Sequence, residues 1–192
     1  MSLPLFHRPI SATERLYLAA RELAPPFAIQ LIVTGAGRID PDRLRQAVGE
    51  ASRACPGARL VRSGEEWVDS GRSPRVRVVE HRIDLAKLDD DPVLAAPFAS
   101  DGDDPTTEVV LVQSVDCTSV VVRAFHGVMD AKGLNLWVTD MFRALRDEPP
   151  VGAPDTDADQ DLVRRNKPES APTALRPTRR GPLGRTGSTG AG

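Results

Sequence analysis

Residues 118–145 read TSVVVRAFHGVMDAKGLNLWVTDMFRAL, and the change of apolar period inside this stretch decides the fold. Residues 118–125 are rich in β-branched side chains and nearly unbroken in apolar character, which predicts a buried, central strand. From there Leu134, Val138, Met141 and Leu145 recur at helical spacing, so a helix over 130–145 should lay one stripe on the same sheet. His126 falls at the strand-to-helix crossover. A side chain at such a place is held by packed elements yet can reach a cleft. Asp130 stands at the predicted helix start, where a carboxylate can cap free N–H groups and is favoured by the helix dipole.

Three readings compete for His126: a structural histidine, a metal ligand, or a general base that exchanges protons near neutrality. Spacing and residue types favour the structural reading. Metal binding is the weakest, because HxxxD offers two ligands and only Cys117 lies nearby, short of the three or four a site needs. No metal is expected.

Outward from this stretch the chain alternates helices and strands. Residues 11–14, SATE, have capping-box spacing, and Leu16, Tyr17, Ala20 and Leu23 continue a helix over 12–23 until Pro25 and Pro26 stop it. A strand over 27–34 follows, then a loop and a helix capped by Asp40 with Pro41 at its first position. Its inward stripe is Leu44, Ala47, Val48 and Ala51, and it ends at Cys55-Pro56-Gly57. Residues 58–62 and 65–69 predict a hairpin that turns at Ser63-Gly64, with Trp67 packed against it. Residues 75–81 read as an amphipathic strand with Arg75 and Arg77 exposed, a candidate basic patch. His7 and His81 are expected to be solvated and to have no role. Residues 108–115 pair with 118–125 through Asp116-Cys117.

After residue 146 the character changes. Residues 147–192 hold 13 Pro or Gly among 46 positions, with no aromatic residue, and residues 170–192 carry four arginines and no acid. Such a stretch buries too little to offset its ordering entropy, so a folded unit over 1–146 and a disordered tail over 147–192 are expected. With 192 residues, 40% hydrophobic and 27% charged, the chain has an ordinary soluble composition with one principal domain. A net charge of −2 gives no electrostatic case for nucleic acid or an anionic membrane. No apolar segment approaches the eighteen residues of a membrane span, and no basic-then-apolar leader opens the chain. Cys55 and Cys117 lack CxxC spacing and are expected as free thiols, so a cytoplasmic protein is predicted.

FHGVMDAKG resembles the HHxxxDG signature of condensation domains and related acyltransferases, the superfamily with the chloramphenicol acetyltransferase fold. SATERLYLAA is similar to that family's opening helix, and GAGRIDPDRLRQAVGEASRACPGARL to its next helix and strand. In the second segment the family's landmarks fall on Gly37, Ile39-Asp40, Leu44 to Ala51, Arg53, Pro56 and Leu60. Order and spacing agree across about 145 residues.

The resemblance implies an α/β (α+β, two-layer) half-domain with a mixed sheet and flanking helices. It implies His126 as the general base and Asp130 as a mainly structural residue that pairs with an arginine. The donor would be an acyl-CoA or a phosphopantetheinyl carrier thioester, and the acceptor a hydroxyl or amine. Two positions depart from the signature: Phe125 replaces its first histidine and Ala131 its glycine. Family members have two such subdomains, with donor and acceptor tunnels meeting at the seam, and this chain matches only the first. Three arrangements are compatible with that: a truncated or frameshifted product, a fragment needing a second chain, or a small relative that completes its site by oligomerising. The tail's Arg/Gly/Pro/Thr bias favours the first. The rival to acyl transfer is a non-catalytic half-domain that binds a carrier or partner protein.

Overall fold

The computed structural model describes residues 6–96 and 105–153, together with Arg165. A short strand β1 (His7–Pro9) leads to helix α1 (Ala12–Leu23). The Ser11 hydroxyl accepts from the Glu14 N–H, and the Glu14 carboxylate accepts from the Ser11 N–H, which is the expected capping box. Strand β2 (Ala28–Ala36) and helix α2 (Pro41–Ala54) follow, the latter capped by the Asp40 carboxylate with Pro41 at its first position. Next come strands β3 (Leu60–Ser63), β4 (Glu66–Asp69) and β5 (Arg75–Glu80), and a one-turn helix α3 (Pro92–Ala95). The chain then forms β6 (Thr107–Gln113), β7 (Cys117–Phe125) and helix α4 (Ala131–Leu145).

Four strands make a mixed sheet in the order β2-β7-β6-β5, with β5 parallel to β6 and the other pairs antiparallel. Strand β7 is therefore interior, as its apolar run predicted. Val120, Val122 and Ala124 of β7, with Val109 and Leu111 of β6, meet Leu44, Val48 and Ala51 of α2 and Leu134, Trp137 and Met141 of α4. On the opposite face, Val110, Val112 and Val121 pack with Ile83 and with Val93 and Leu94 of α3. Both faces are covered, and that is why β7 shows no polar alternation.

Arg123 also points to this second face. It is fully buried and donates to Glu108 Oε1 at 2.6 Å and to the Ala96 carbonyl at 2.7 Å. Arg77 Nε lies 3.4 Å from the other Glu108 oxygen. Arg77, expected to be exposed beside Arg75, is instead half-buried, because the parallel pairing of β5 with β6 brings it over a buried carboxylate. His81 is likewise not simply solvated: its Nε2 is 3.0 Å from the Asp91 carboxylate that caps α3. His7 stays exposed, 3.7 Å from Glu66.

The β3–β4 hairpin turns at Gly64, whose φ of +59° is left-handed, and joins β1 in a separate antiparallel sheet, β1-β4-β3. Ala58, expected in the hairpin, sits instead in a 3-10 turn over Pro56–Arg59. The small sheet packs through Ile10, Leu60 and Trp67 around Phe125 at the end of β7.

Past α4 the chain folds back. Asp140, 2% exposed, accepts hydrogen bonds from the N–H groups of Val151 (2.7 Å) and Gly152 (2.8 Å), and the Ala153 N–H donates to the Ala54 carbonyl at 3.0 Å. Residues 147–153, which composition assigns to the tail, are thus held against α2 and α4. The rest of the tail expectation, save Arg165, lies outside the described residues. Both cysteines are free thiols. No helix among the described residues is long and apolar enough to cross a membrane.

Candidate functional site

Strand β7 ends at Phe125, and α4 begins at Ala131, so His126 to Asp130 form the crossover loop. The loop begins where the two sheets meet. Phe125 is fully buried, its ring 6.1 Å from that of Trp67 and 5.4 Å from the Arg21 guanidinium. In place of the signature's first histidine, Phe125 is a packing hub that anchors the residue next to it. A Cβ on Gly127 would stand 2.4 Å from Phe125 Cε1, so only glycine lets the chain turn away from this ring.

Asp130 is the N-cap of α4, its Oδ1 accepting from the Gly133 N–H at 2.7 Å. That bond makes capping the role its geometry displays. Ala131 takes the first helical position with ordinary backbone angles, so the signature's glycine is not needed there.

His126 and Asp130 line one pocket of about 430 Å³. Its other walls come from far along the chain: Arg8, Glu14 and Tyr17 at the N-terminus, Cys55 and Gly57 after α2, and Ala153 from the returning segment. Arg8 and Glu14 form a largely buried ion pair at 2.5 Å, so these two charges compensate each other. The His126 imidazole lies against Tyr17, with ring centroids 5.1 Å apart and planes at 20°, and near Phe27 at 6.5 Å and 29°. Its Nδ1 is buried and has no hydrogen-bond partner among the described residues, and the residue lines the pocket.

The Cys55 thiol is pushed up to about 11 by burial and by the neighbouring Asp140 carboxylate, with Sγ 3.7 Å from Asp140 Oδ2. It is a neutral thiol near pH 7 and a poor nucleophile. Among the described residues no group of three His, Cys, Asp or Glu is placed to hold a metal ion.

Sequence reasoning found His126 and Asp130 but not Arg8, Glu14, Tyr17 or Cys55 as pocket residues. Glu14 carried only a capping signal and Tyr17 only a helical apolar period. Nothing local marks which way either faces.

No protein-family model matches the sequence, and no curated protein matches it. Solved structures do match in fold. The epimerization domain from the third module of tyrocidine synthetase B superposes with a TM-score of 0.61 at 16% identity, over 85% of this chain and 41% of that one. The cyclization-docking bidomain of EpoB from Sorangium cellulosum gives a TM-score of 0.59 at 16% identity, over 85% and 36%. A protein of F. graminearum in complex with ethyl coenzyme A gives 0.53 at 16%, over 84% and 42%. The chain therefore has the condensation-domain and chloramphenicol acetyltransferase-like fold, and it spans about two-fifths of the length of these structures.

Proposed function

We propose that this chain, carrying one half of a condensation-domain and chloramphenicol acetyltransferase-like fold, provides the base-bearing half of an acyl-transfer site. The observation that carries the reading is His126: it stands on the crossover loop, lines the pocket with Asp130, and has its Nδ1 buried. The donor is an acyl thioester of coenzyme A or of a phosphopantetheinyl carrier, and the acceptor a hydroxyl or an amine. The acceptor's proton passes to His126 Nε2 as its oxygen or nitrogen bonds to the thioester carbonyl carbon. The C–S bond then breaks, and the departing thiolate takes the proton back. Such a base contributes a factor of about 10² to 10⁴, the remainder coming from positioning and oxyanion stabilisation. Asp130 serves by fixing the start of α4 and hence the end of the loop.

The chain spans about two-fifths of the matched structures, and on this reading a second wall would be supplied by another polypeptide segment or a second copy. Thiol release from acyl-CoA and acyl-carrier thioesters, followed with the chain alone and with its site completed, tests this. Turnover is expected only in the completed protein and should fall at least about a hundredfold in His126→Ala. Wild-type turnover in that variant would overturn the base assignment.

A second reading, a non-catalytic half-domain that binds a carrier or partner protein, is favoured by the outer face of α1, where Leu16 is 66% and Leu23 87% exposed. A well-behaved monomer that hydrolyses no thioester would support it.

A further inference from the structure

The base reading leaves open what holds the His126 ring. A catalytic imidazole is ordinarily oriented by a hydrogen bond from its second nitrogen to a carboxylate or carbonyl. Here that bond is missing among the described residues, since Nδ1 is buried without a partner. The nearest candidate carboxylate in the motif, Asp130, is engaged by the Gly133 N–H. The torsion that turns an imidazole about its Cβ–Cγ bond is broad, so without a constraint the ring plane could swing within the pocket.

Tyr17 supplies a constraint of another kind. It reaches from α1, lines the same pocket, and lies nearly parallel to the imidazole at 5.1 Å. Phe27, 5.6 Å from Tyr17, backs the pair. Tyr17 is itself fixed by the start of α1, where the Ser11–Glu14 capping box and the Arg8–Glu14 ion pair hold the helix beside the loop. An aromatic plane over the imidazole face restricts the tilt of the ring plane where no hydrogen bond does. The geometry points to Tyr17 as the positioning residue for His126, acting by stacking and not by its hydroxyl. This rests on the base reading for its catalytic consequence, though not for its structural one.

Two variants separate the ring from the hydroxyl. Tyr17→Phe keeps the stack, whereas Tyr17→Leu keeps apolar contact with Phe27 but removes the plane. The spectroscopic arm uses the 192-residue chain: the His126 ring-proton resonances, assigned by their loss in His126→Ala, should show the ring-current displacement of a stacked imidazole. That displacement should persist in Tyr17→Phe and vanish in Tyr17→Leu, while the rest of the spectrum keeps its folded dispersion. Identical His126 signals in wild type and Tyr17→Leu would overturn the proposal.

The kinetic arm uses the completed protein. Tyr17→Leu should lower kcat by roughly ten- to a hundredfold with KM little changed, since a misplaced base slows the chemical step and not binding, and Tyr17→Phe should restore it. A change confined to KM, or an equal loss in Tyr17→Phe, would also overturn it. Should His126→Ala retain turnover, the base assignment fails, and the spectroscopic arm still decides whether Tyr17 holds the ring.

Discussion

Replacing Asp140 with alanine should release the segment that follows α4. Asp140 lies on the inner side of that helix, 2% exposed, and its two oxygens take one backbone N–H each, from Val151 at 2.7 Å and Gly152 at 2.8 Å. Cys55 Sγ, 3.7 Å from Oδ2, is a weaker third contact. Hydrogen bonds to a charged group contribute about 1.5–3 kcal/mol each, against about 1 for neutral pairs. The two together set an upper range of about 3–6 kcal/mol. The measured loss should be smaller, about 2–4 kcal/mol, because the freed segment can swing out and give its N–H groups to water.

Urea unfolding measures the total, and native-state hydrogen exchange locates it: the Val151, Gly152 and Ala153 amides should lose protection while those of β7 keep theirs. Asp140→Asn should fall between, since one amide oxygen can still accept one of the two N–H groups. If Asp140→Ala kept the Val151 and Gly152 amides protected, or lost less than about 0.5 kcal/mol, the carboxylate would not be what holds this segment.

Alkaline pH should weaken the fold through Cys55. Its folded-state pKa of about 11 lies above the unfolded value, so its contribution is intact below about pH 9 and is lost as pH rises towards 11, by about 2–3 kcal/mol. Cys55→Ala should flatten that part of the stability–pH curve, and an unchanged slope in the variant would contradict the assignment. Asp130→Ala removes the cap on the Gly133 N–H and should cost about 0.5–2 kcal/mol in thermal or urea unfolding. Gly127→Ala forces a methyl to within 2.4 Å of a fully buried ring and should destabilise by about 1–3 kcal/mol, read from the same unfolding curves.

The central frame was legible because its signals are local. A continuous apolar run gives a strand covered on both faces, and β7 is interior with α2 and α4 on one side and α3 on the other. Asp40 with Pro41, the SATE box and Asp130 each specify a helix start through a side chain that meets a backbone N–H two or three residues away. The hairpin between β6 and β7 follows from two apolar runs and a short polar turn. His126 and Asp130 were found for the same reason, as they sit where the period changes.

What the sequence could not determine depends on pairings between distant residues. That β5 runs parallel to β6 decides that Arg77 approaches Glu108, and the position of α3 decides that His81 meets Asp91. Phe125 reads like any other apolar residue of the run, yet the separate β1-β4-β3 sheet makes it the joint between two cores. Residues 147–153 carry no apolar period and are ordered by a carboxylate eleven and twelve positions earlier. Tyr17 meets His126 across more than a hundred residues only because α1 is laid beside the crossover loop. The sequence alone determined the strand, the helices and the histidine between them, since helix caps and apolar periods act over a few residues. The tertiary structure decided what faces that histidine, because stacking and pocket walls are set by three-dimensional packing that no local period encodes.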